Sequence, residues 1–573
     1  MTTDLSAVYG GDEPSLIHKT LGQLTDEQDE QYRAKTFLIS TYQKRNVSYA
    51  ELAHRSRVLA KALLSSDLQF GDHIGIFLPS CVEHIEIFLA AARVGLPIVS
   101  FNLTFTAREL ADAAAFTDCK AIFICSELGP RSFKEHISLL QSLPQLQHII
   151  QVGNDVRESS RCTPYARFST QTPKPSIDLR IAEAQVSPTT TLNIQFTSGT
   201  TGRPKAALLT HHGMLNNAHF SSNFVNIGPN DISLQCAPLF HCLGTIGTFL
   251  MAFIRGGSLV IPSPGFDPAA TLSAMIEYKA TIMTGVPTMF LAVAEVAKKR
   301  GLAGKITSLR TGFVAGSPCS REHLDTMSTV LGMREPCIGY GITEVSMGTS
   351  GTHPDDSVEK RVATCGKAHP HISLRVVDKR DPSRILPRNQ PGELLISSYG
   401  LFAGYYKQPE KTAEAIYTDR DNGMRWFRTG DEAKIDEEGF LIITGRIKDI
   451  IIRGGENIYP AEIEHRLAQH PRIAEACVLG LPDARYGEVV AAFLRPTDPI
   501  LSTQPDSTPS NDEICSWVRE KLARQKAPKH IFWLGQGVLS EVKEFPKTGS
   551  GKLQKHVLKE LVLNGSGGGK AKL

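Results

Sequence analysis

The chain has 573 residues, of which 41% are hydrophobic and 21% charged, ordinary values that exclude disorder of the whole chain. That length exceeds what one simple core supports and points to a large body plus at least one further domain. A net charge of +3 from 62 basic and 59 acidic residues creates no field that argues for nucleic acid or an anionic membrane as partner.

The segment from Met1 to Leu16 carries Asp4, Asp12 and Glu13 and lacks both a basic and an apolar leader region, so no secretory or mitochondrial leader is expected. Helical spacing of apolar residues runs from Tyr49 to Leu64, and Ile74 to Leu78 is a short apolar run of the kind that forms a buried strand. The alternation continues with a helix over Glu86 to Val94, a strand over Ile98 to Phe101, a helix over Ala107 to Ala115 and a strand over Ala121 to Cys125. Such alternation predicts layered α/β architecture with parallel strands. The longest uncharged run, Ile232 to Ile254, could span a bilayer by length alone. Gln235, Pro238, His241, Gly244 and Gly247 inside it argue instead for a buried helix flanked by a loop, so no transmembrane segment is expected.

Further strands are expected at Ser258 to Ile261, Thr281 to Thr284 and Gly312 to Ala315, each near a small-residue or proline turn where a ligand can approach the backbone. From Leu374 the texture changes to short strands, Leu374 to Val377, Gly392 to Ser397 and Phe440 to Thr444, which predict a smaller β-rich lobe. The fold class is thus α/β, with a large N-terminal domain of layered α/β subdomains plus a β-rich lobe over residues 1–446. A small α+β C-terminal domain follows over 447–563. Thr497 to Asn511 is expected to be a surface loop, and 564–573, with Gly565 to Lys570 inside it, a flexible tail. The eleven cysteines form no CxxC pair and read as reduced, mostly buried thiols of an intracellular protein.

The most informative stretch is Thr197-Ser-Gly-Thr-Thr-Gly-Arg-Pro-Lys205, rich in hydroxyls and glycines and ending in a cation. Glycines let the main chain approach a polyphosphate, hydroxyls and amides donate to its oxygens, and lysine supplies charge. The spacing is not that of a G-x-x-x-x-G-K-[ST] loop. Taken alone, the stretch could equally be a flexible surface turn. In order along the chain it is joined by Tyr340-Gly-Ile-Thr-Glu344, Thr429-Gly-Asp431, Gly445-Arg446-Ile-Lys-Asp449 and Pro546-Lys-Thr-Gly-Ser-Gly-Lys552. This series, spread over roughly residues 45 to 563, resembles the motifs of the adenylate-forming superfamily, which includes acyl-CoA synthetases, luciferases and peptide-synthetase adenylation domains. The run Lys448 to Glu462 looks most like medium-chain and related fatty acyl-CoA synthetases. One departure is visible, because Ala206 stands where the family usually has glycine after the phosphate-loop lysine.

The resemblance implies an AMP-forming acyl-CoA ligase using ATP, Mg2+ and CoA on a carboxylic acid, with a mobile C-terminal domain. It places Ser198, Gly199, Thr200, Thr201, Gly202 and Lys205, with Thr197 at the loop's start, on the β- and γ-phosphates. It puts Thr343 on the α-phosphate, Glu344 on Mg2+, Asp431 on the ribose hydroxyls and Arg446 on ribose or phosphate. Gly316, Gly339 and Tyr340 would frame the adenine, and Lys552 would bridge the incoming carboxylate and the α-phosphate. Lys448 is the implied hinge, Gly454 and Gly455 the implied thioester-forming face, and His241 and Gly341 the implied acyl and CoA contacts. From the residues themselves, Gly454-Gly455 could be a mere turn and His241 a satisfied core histidine.

The last three residues, Ala571, Lys572 and Leu573, fit a small-basic-leucine peroxisomal address, which makes an import receptor the expected partner and the peroxisome the expected location, with cytosol as the alternative. Rival readings are a ligase for an aryl acid or for a specialised fatty or polyketide acid of secondary metabolism, a luciferase-like oxygenase, and a catalytically silent nucleotide- or acyl-CoA-binding relative. Against silence, Lys205, Glu344, Asp431, Arg446 and Lys552 are all present.

Overall fold

The computed structural model describes residues 4–153, 161–171, 173–174, 177–197, 205–317, 319–497, 508–547 and 553–565. Ser198, Gly199, Thr200, Thr201, Gly202, Lys552 and the C-terminal Ala571, Lys572 and Leu573 lie outside the described residues, as does most of the loop expected between Thr497 and Asn511.

Parallel strands whose both faces are buried must be apolar throughout, and the sequence supplies such runs. Ile74–Phe77 and Ala121–Cys125 are buried at every residue. With His148–Val152, Cys162–Pro164, Ile98–Ser100 and Thr191–Thr197 they form a parallel sheet, closed by the antiparallel strand Lys205–Thr210. A second sheet carries Ser258–Ile261, Ile232–Leu234, Ile282–Met283, Thr311–Ala315 and Glu335–Ile342 in parallel, then turns back through the antiparallel strand Met347–Gly351. The helices expected near residues 49, 86 and 107 are Tyr49–Ser65, Val82–Arg93 and Ala107–Phe116. Val82–Arg93 starts four residues earlier than its apolar pattern suggests and is buried on every side. Its charges tolerate this because each is paired, Glu83 with Arg45, Glu86 with Arg55 at 2.8 Å and Arg93 with Asp26.

The β-rich lobe is an antiparallel sheet of Ala7–Tyr9, Ile372–Val377, Gly392–Ser398, Ile416–Thr418, Arg425–Ile435 and Leu441–Arg446. Beyond Arg446 the chain enters another sheet, built on the long hairpin Ile473–Asp483 with Gly487–Pro496 and holding its own apolar core around Val478, Val490 and Ile463. The molecule is therefore mixed α/β, with a large N-terminal domain and a small C-terminal one.

Two expectations need correction, while the uncharged run holds the expected buried helix flanked by a loop: Cys242 to Ile254, with a π-helical stretch Thr245–Leu250, follows the strand Ile232–Leu234. Among the described residues no helix is long and apolar enough to cross a membrane. Asn511 does not end a loop: it opens the helix Asn511–Arg519, because Ser510 accepts from the Glu513 N–H as its cap. Gly565 does not begin a tail but closes the helix Lys555–Gly565. All eleven cysteines are free, nine buried and Cys365 and Cys515 partly so.

Candidate active site

The base of the phosphate loop is a hairpin. Thr197 and Lys205 are partners in the antiparallel pair, so the loop leaves and re-enters the sheet at one place. The outer edge of Lys205–Thr210 is covered in turn by residues 403–406. Tyr406 N–H donates to the Ala206 carbonyl at 2.8 Å, Leu208 N–H to Gly404 at 3.0 Å and Ala403 N–H to Leu208 at 2.9 Å. Ala206, the departure from glycine, is fully buried in the main core, where its methyl adds packing on the sheet side of the loop.

This pairing brings Tyr405 under Lys205, whose Nζ sits 4.7 Å from the ring centroid. The Tyr405 hydroxyl donates to Glu344 Oε1 at 2.7 Å. Burial lowers the Lys205 ammonium below the ordinary lysine value, Glu344 opposes this, and the nearby Lys411 and Lys448 cations add to it. The implied hinge residue Lys448, in a short 3-10 turn Ile447–Asp449, thus lies close to the loop's end.

Thr343 and Glu344 occupy a 3-10 turn, Thr343–Val345, between the strands Glu335–Ile342 and Met347–Gly351. The reversal is tight. A Cβ on Gly341 would stand 1.7 Å from the Met347 carbonyl oxygen, so only glycine fits. Ser346 and Met347 carry φ of +61° and +99°, strain that the surroundings hold in place partly by the bond from Ser346 Oγ to the Gly400 carbonyl at 2.8 Å. Thr343 Oγ1 lies 3.8 Å from Cys242 Sγ, which lies 3.9 Å from His241 Nδ1. His241 itself caps the following helix, its Nδ1 accepting from the Leu243 N–H at 3.2 Å. Behind them Met347 packs on Gly247, where a Cβ would come within 2.7 Å of Sδ.

On the other side of the Tyr340 to Glu344 segment, the Tyr340 hydroxyl donates to Asp431 Oδ2 at 2.6 Å, and Arg446 Nε lies 3.5 Å from Asp431 Oδ1. Asp431 and Arg446 face each other as strand partners. Burial, then the Asp431 charge, push the Tyr340 phenol well above the usual tyrosine value, so it remains a neutral donor. Gly339 pairs with Ala315, which places Gly316, at φ +85°, beside Gly339 and Tyr340 at the carboxyl ends of two parallel strands. Open α/β sheets bind ligands there.

One short segment therefore ties the loop base, through Tyr405 and Lys205, to Asp431 and Arg446. Gly454 and Gly455 are not brought in. At φ +59° and +88° they form an exposed turn of the hairpin Ile451–Arg453 with Glu456–Ile458, anchored by Gly454 N–H to the Tyr486 carbonyl at 2.8 Å. The segment that carries Lys552 is closed at its base by Lys547 pairing with Leu553, and its flanks are held by Lys547–Glu475 at 2.7 Å and Lys555–Glu464 at 2.8 Å. Tyr405 was not anticipated. The aromatic stretch Phe402 to Tyr406 between two motifs is the one signal that marks it, and spacing alone does not assign it a partner.

Hydroxyl, lysine and carboxylate groups gathered at the strand ends, with a second domain behind a short turn, define an adenylate-forming acid–thiol ligase. The comparisons agree. The AMP-binding enzyme family model matches residues 25–406 and the AMP-binding enzyme C-terminal domain model residues 462–552, and the chain belongs to that family. It is 41% identical to acyl-CoA ligase sidI of Aspergillus fumigatus, covering 97% of this chain and 93% of that one. It is 32% identical to the mitochondrial medium-chain acyl-CoA ligase ACSF2 of Rattus norvegicus, over 97% and 89%. The ATP-bound crystal structure of MatB from Rhodopseudomonas palustris superposes with a TM-score of 0.76 at 27% identity, over 95% and 99% of the two chains. The chain is an AMP-forming acid–CoA ligase.

Proposed function

We propose that the acid is an aliphatic one of medium length. In the first half-reaction a carboxylate oxygen attacks the α-phosphorus of ATP, the bond to pyrophosphate breaks, and acyl-adenylate forms. In the second, the CoA sulfur attacks the acyl carbon and AMP leaves. Two anions meet in the first step, so charge neutralisation is the main demand on the protein.

Lys205 and the loop from Thr197 would hold the β- and γ-phosphates, with Thr343 on the α-phosphate. Asp431 would accept the ribose hydroxyls, with Arg446 beside it and Gly316, Gly339 and Tyr340 along the adenine. Lys552 would join the carboxylate to the α-phosphate, and rotation at Lys448 would later exchange it for the face bearing Gly454 and Gly455. Glu344 fits Mg2+: one oxygen is held by Tyr405, and Oε2 has no hydrogen-bond partner among the described residues. An ion that takes one carboxylate plus phosphate oxygens and waters suits that donor set, and when bound it supplies positive charge to the phosphates.

The observation that carries the assignment is the double contact of the Tyr340 to Glu344 segment, with Asp431 at one end and, through Tyr405, Lys205 at the other. Met347, whose Sδ would lie 2.7 Å from a Cβ on Gly247, next to the turn that carries Thr343, is the side chain we take to end the acyl site at medium length. The 32% identical relative is a medium-chain acyl-CoA ligase, which is consistent with it. The experiment is AMP release by the purified chain over short, medium and long straight-chain acids and aryl acids. A maximum in kcat/KM at medium length is expected; a maximum at an aryl or long-chain acid overturns the assignment.

A further inference from the structure

We propose that Tyr405 is a positioning residue that holds Glu344 and Lys205 apart and aimed at the same ligand. The proposal rests on the reading of Glu344 as the metal-holding carboxylate.

The tyrosine stands between two opposite charges. Its hydroxyl takes one oxygen of Glu344 at 2.7 Å and its ring face takes the Lys205 ammonium at 4.7 Å. Among the described residues Lys205 and Glu344 form no direct ion pair. A half-buried lysine and carboxylate this close would otherwise collapse onto each other, because the attraction grows as water is excluded. Each would then be lost to the phosphates and the cation. A phenol prevents the collapse without neutralising either group, which an arginine or a second carboxylate at this place would not.

Tyr405 is itself fixed from several directions. It is 5% exposed, its N–H donates to Thr412 Oγ1 at 2.9 Å, and its backbone bridges to Ala207. Phe402 meets its ring edge-on at 4.7 Å, and the Phe402 N–H donates to the Glu344 carbonyl at 2.8 Å. One short stretch thereby grips both the backbone and the side chain of Glu344. The Tyr405 hydroxyl reaches a carboxylate 61 positions away in the chain.

The test is Mn2+ binding to the full chain with α,β-methylene-ATP, read from loss of the free-ion EPR signal and accompanied by thermal melting. Tyr405→Phe keeps the ring and frees the carboxylate. It is expected to weaken Mn2+ binding by about tenfold while still melting cooperatively, and raised Mg2+ should restore its pyrophosphate exchange. Glu344→Gln separates the two layers. If it weakens Mn2+ binding and Tyr405→Phe does not, the positioning role falls and the assignment of Glu344 stands. If Glu344→Gln leaves Mn2+ binding unchanged, both fall. A Tyr405→Phe chain that no longer melts cooperatively also counts against the proposal, since a hydroxyl that only aims Glu344 is dispensable to the core.

Discussion

Asp431 and Glu344 each carry a tyrosine hydroxyl on one oxygen, Tyr340 at 2.6 Å and Tyr405 at 2.7 Å. A neutral donor orients a carboxylate and leaves its charge for a ligand, and the remaining lone pairs can still accept. Two other residues of the site act through shape. Gly341 admits the Met347 carbonyl, and Met347 in turn lies over Gly247. Met347→Ala should open that slot. Each methylene buried there is worth about 0.8 kcal/mol, or roughly fourfold in kcat/KM, so the preferred acid should lengthen. Measuring kcat/KM against chain length for the variant and the parent checks this. An unchanged length profile would show that Met347 does not end the acyl slot.

Among the elements, the N-terminal helices are joined by one buried cation. Arg93, with its side chain fully buried in Val82–Arg93, bonds Asp26 on Leu21–Tyr32, Ser56 on Tyr49–Ser65 at 2.8 Å and Glu183 on Leu179–Ala184 at 2.7 Å. Burial alone would raise the Asp26 carboxyl, but Arg93 and Arg57 outweigh it and hold it below the usual aspartate value. A depressed folded value means that the stabilisation is complete above the unfolded aspartate range and is lost as pH falls through the folded one. Asp26→Asn should therefore lower the melting temperature at neutral pH and flatten its decline below about pH 4. Melting curves of both proteins across that range test it; parallel declines would contradict it. The same helix shows where sequence periodicity stops. Ala121–Cys125 was legible to the residue because a strand buried on both faces is apolar throughout. The start of Val82–Arg93 was not, because Glu83 and His84 look like surface residues until Arg45 and the Pro79 carbonyl, brought close by the fold, partner them.

For the whole molecule, the site is a meeting of distant segments, and only some of them announce themselves. Thr197 to Lys205, Glu344 and Asp431 sit in motifs to which the family resemblance assigns phosphate, cation and ribose, so the chain alone picks them out as candidates. Tyr405 owes its place to sheet pairing between 403–406 and Lys205–Thr210, which no local pattern encodes. Gly454 and Gly455, which the motifs place at a CoA passage, lie here in an exposed turn.

The central claim is that these converging groups let an acid displace pyrophosphate before any thiol takes part. The direct measurement is exchange of labelled pyrophosphate into ATP by the purified chain, with a medium-chain acid and without CoA. Label should enter ATP only when the acid is present. Exchange that requires CoA, or that proceeds equally without acid, would contradict the account.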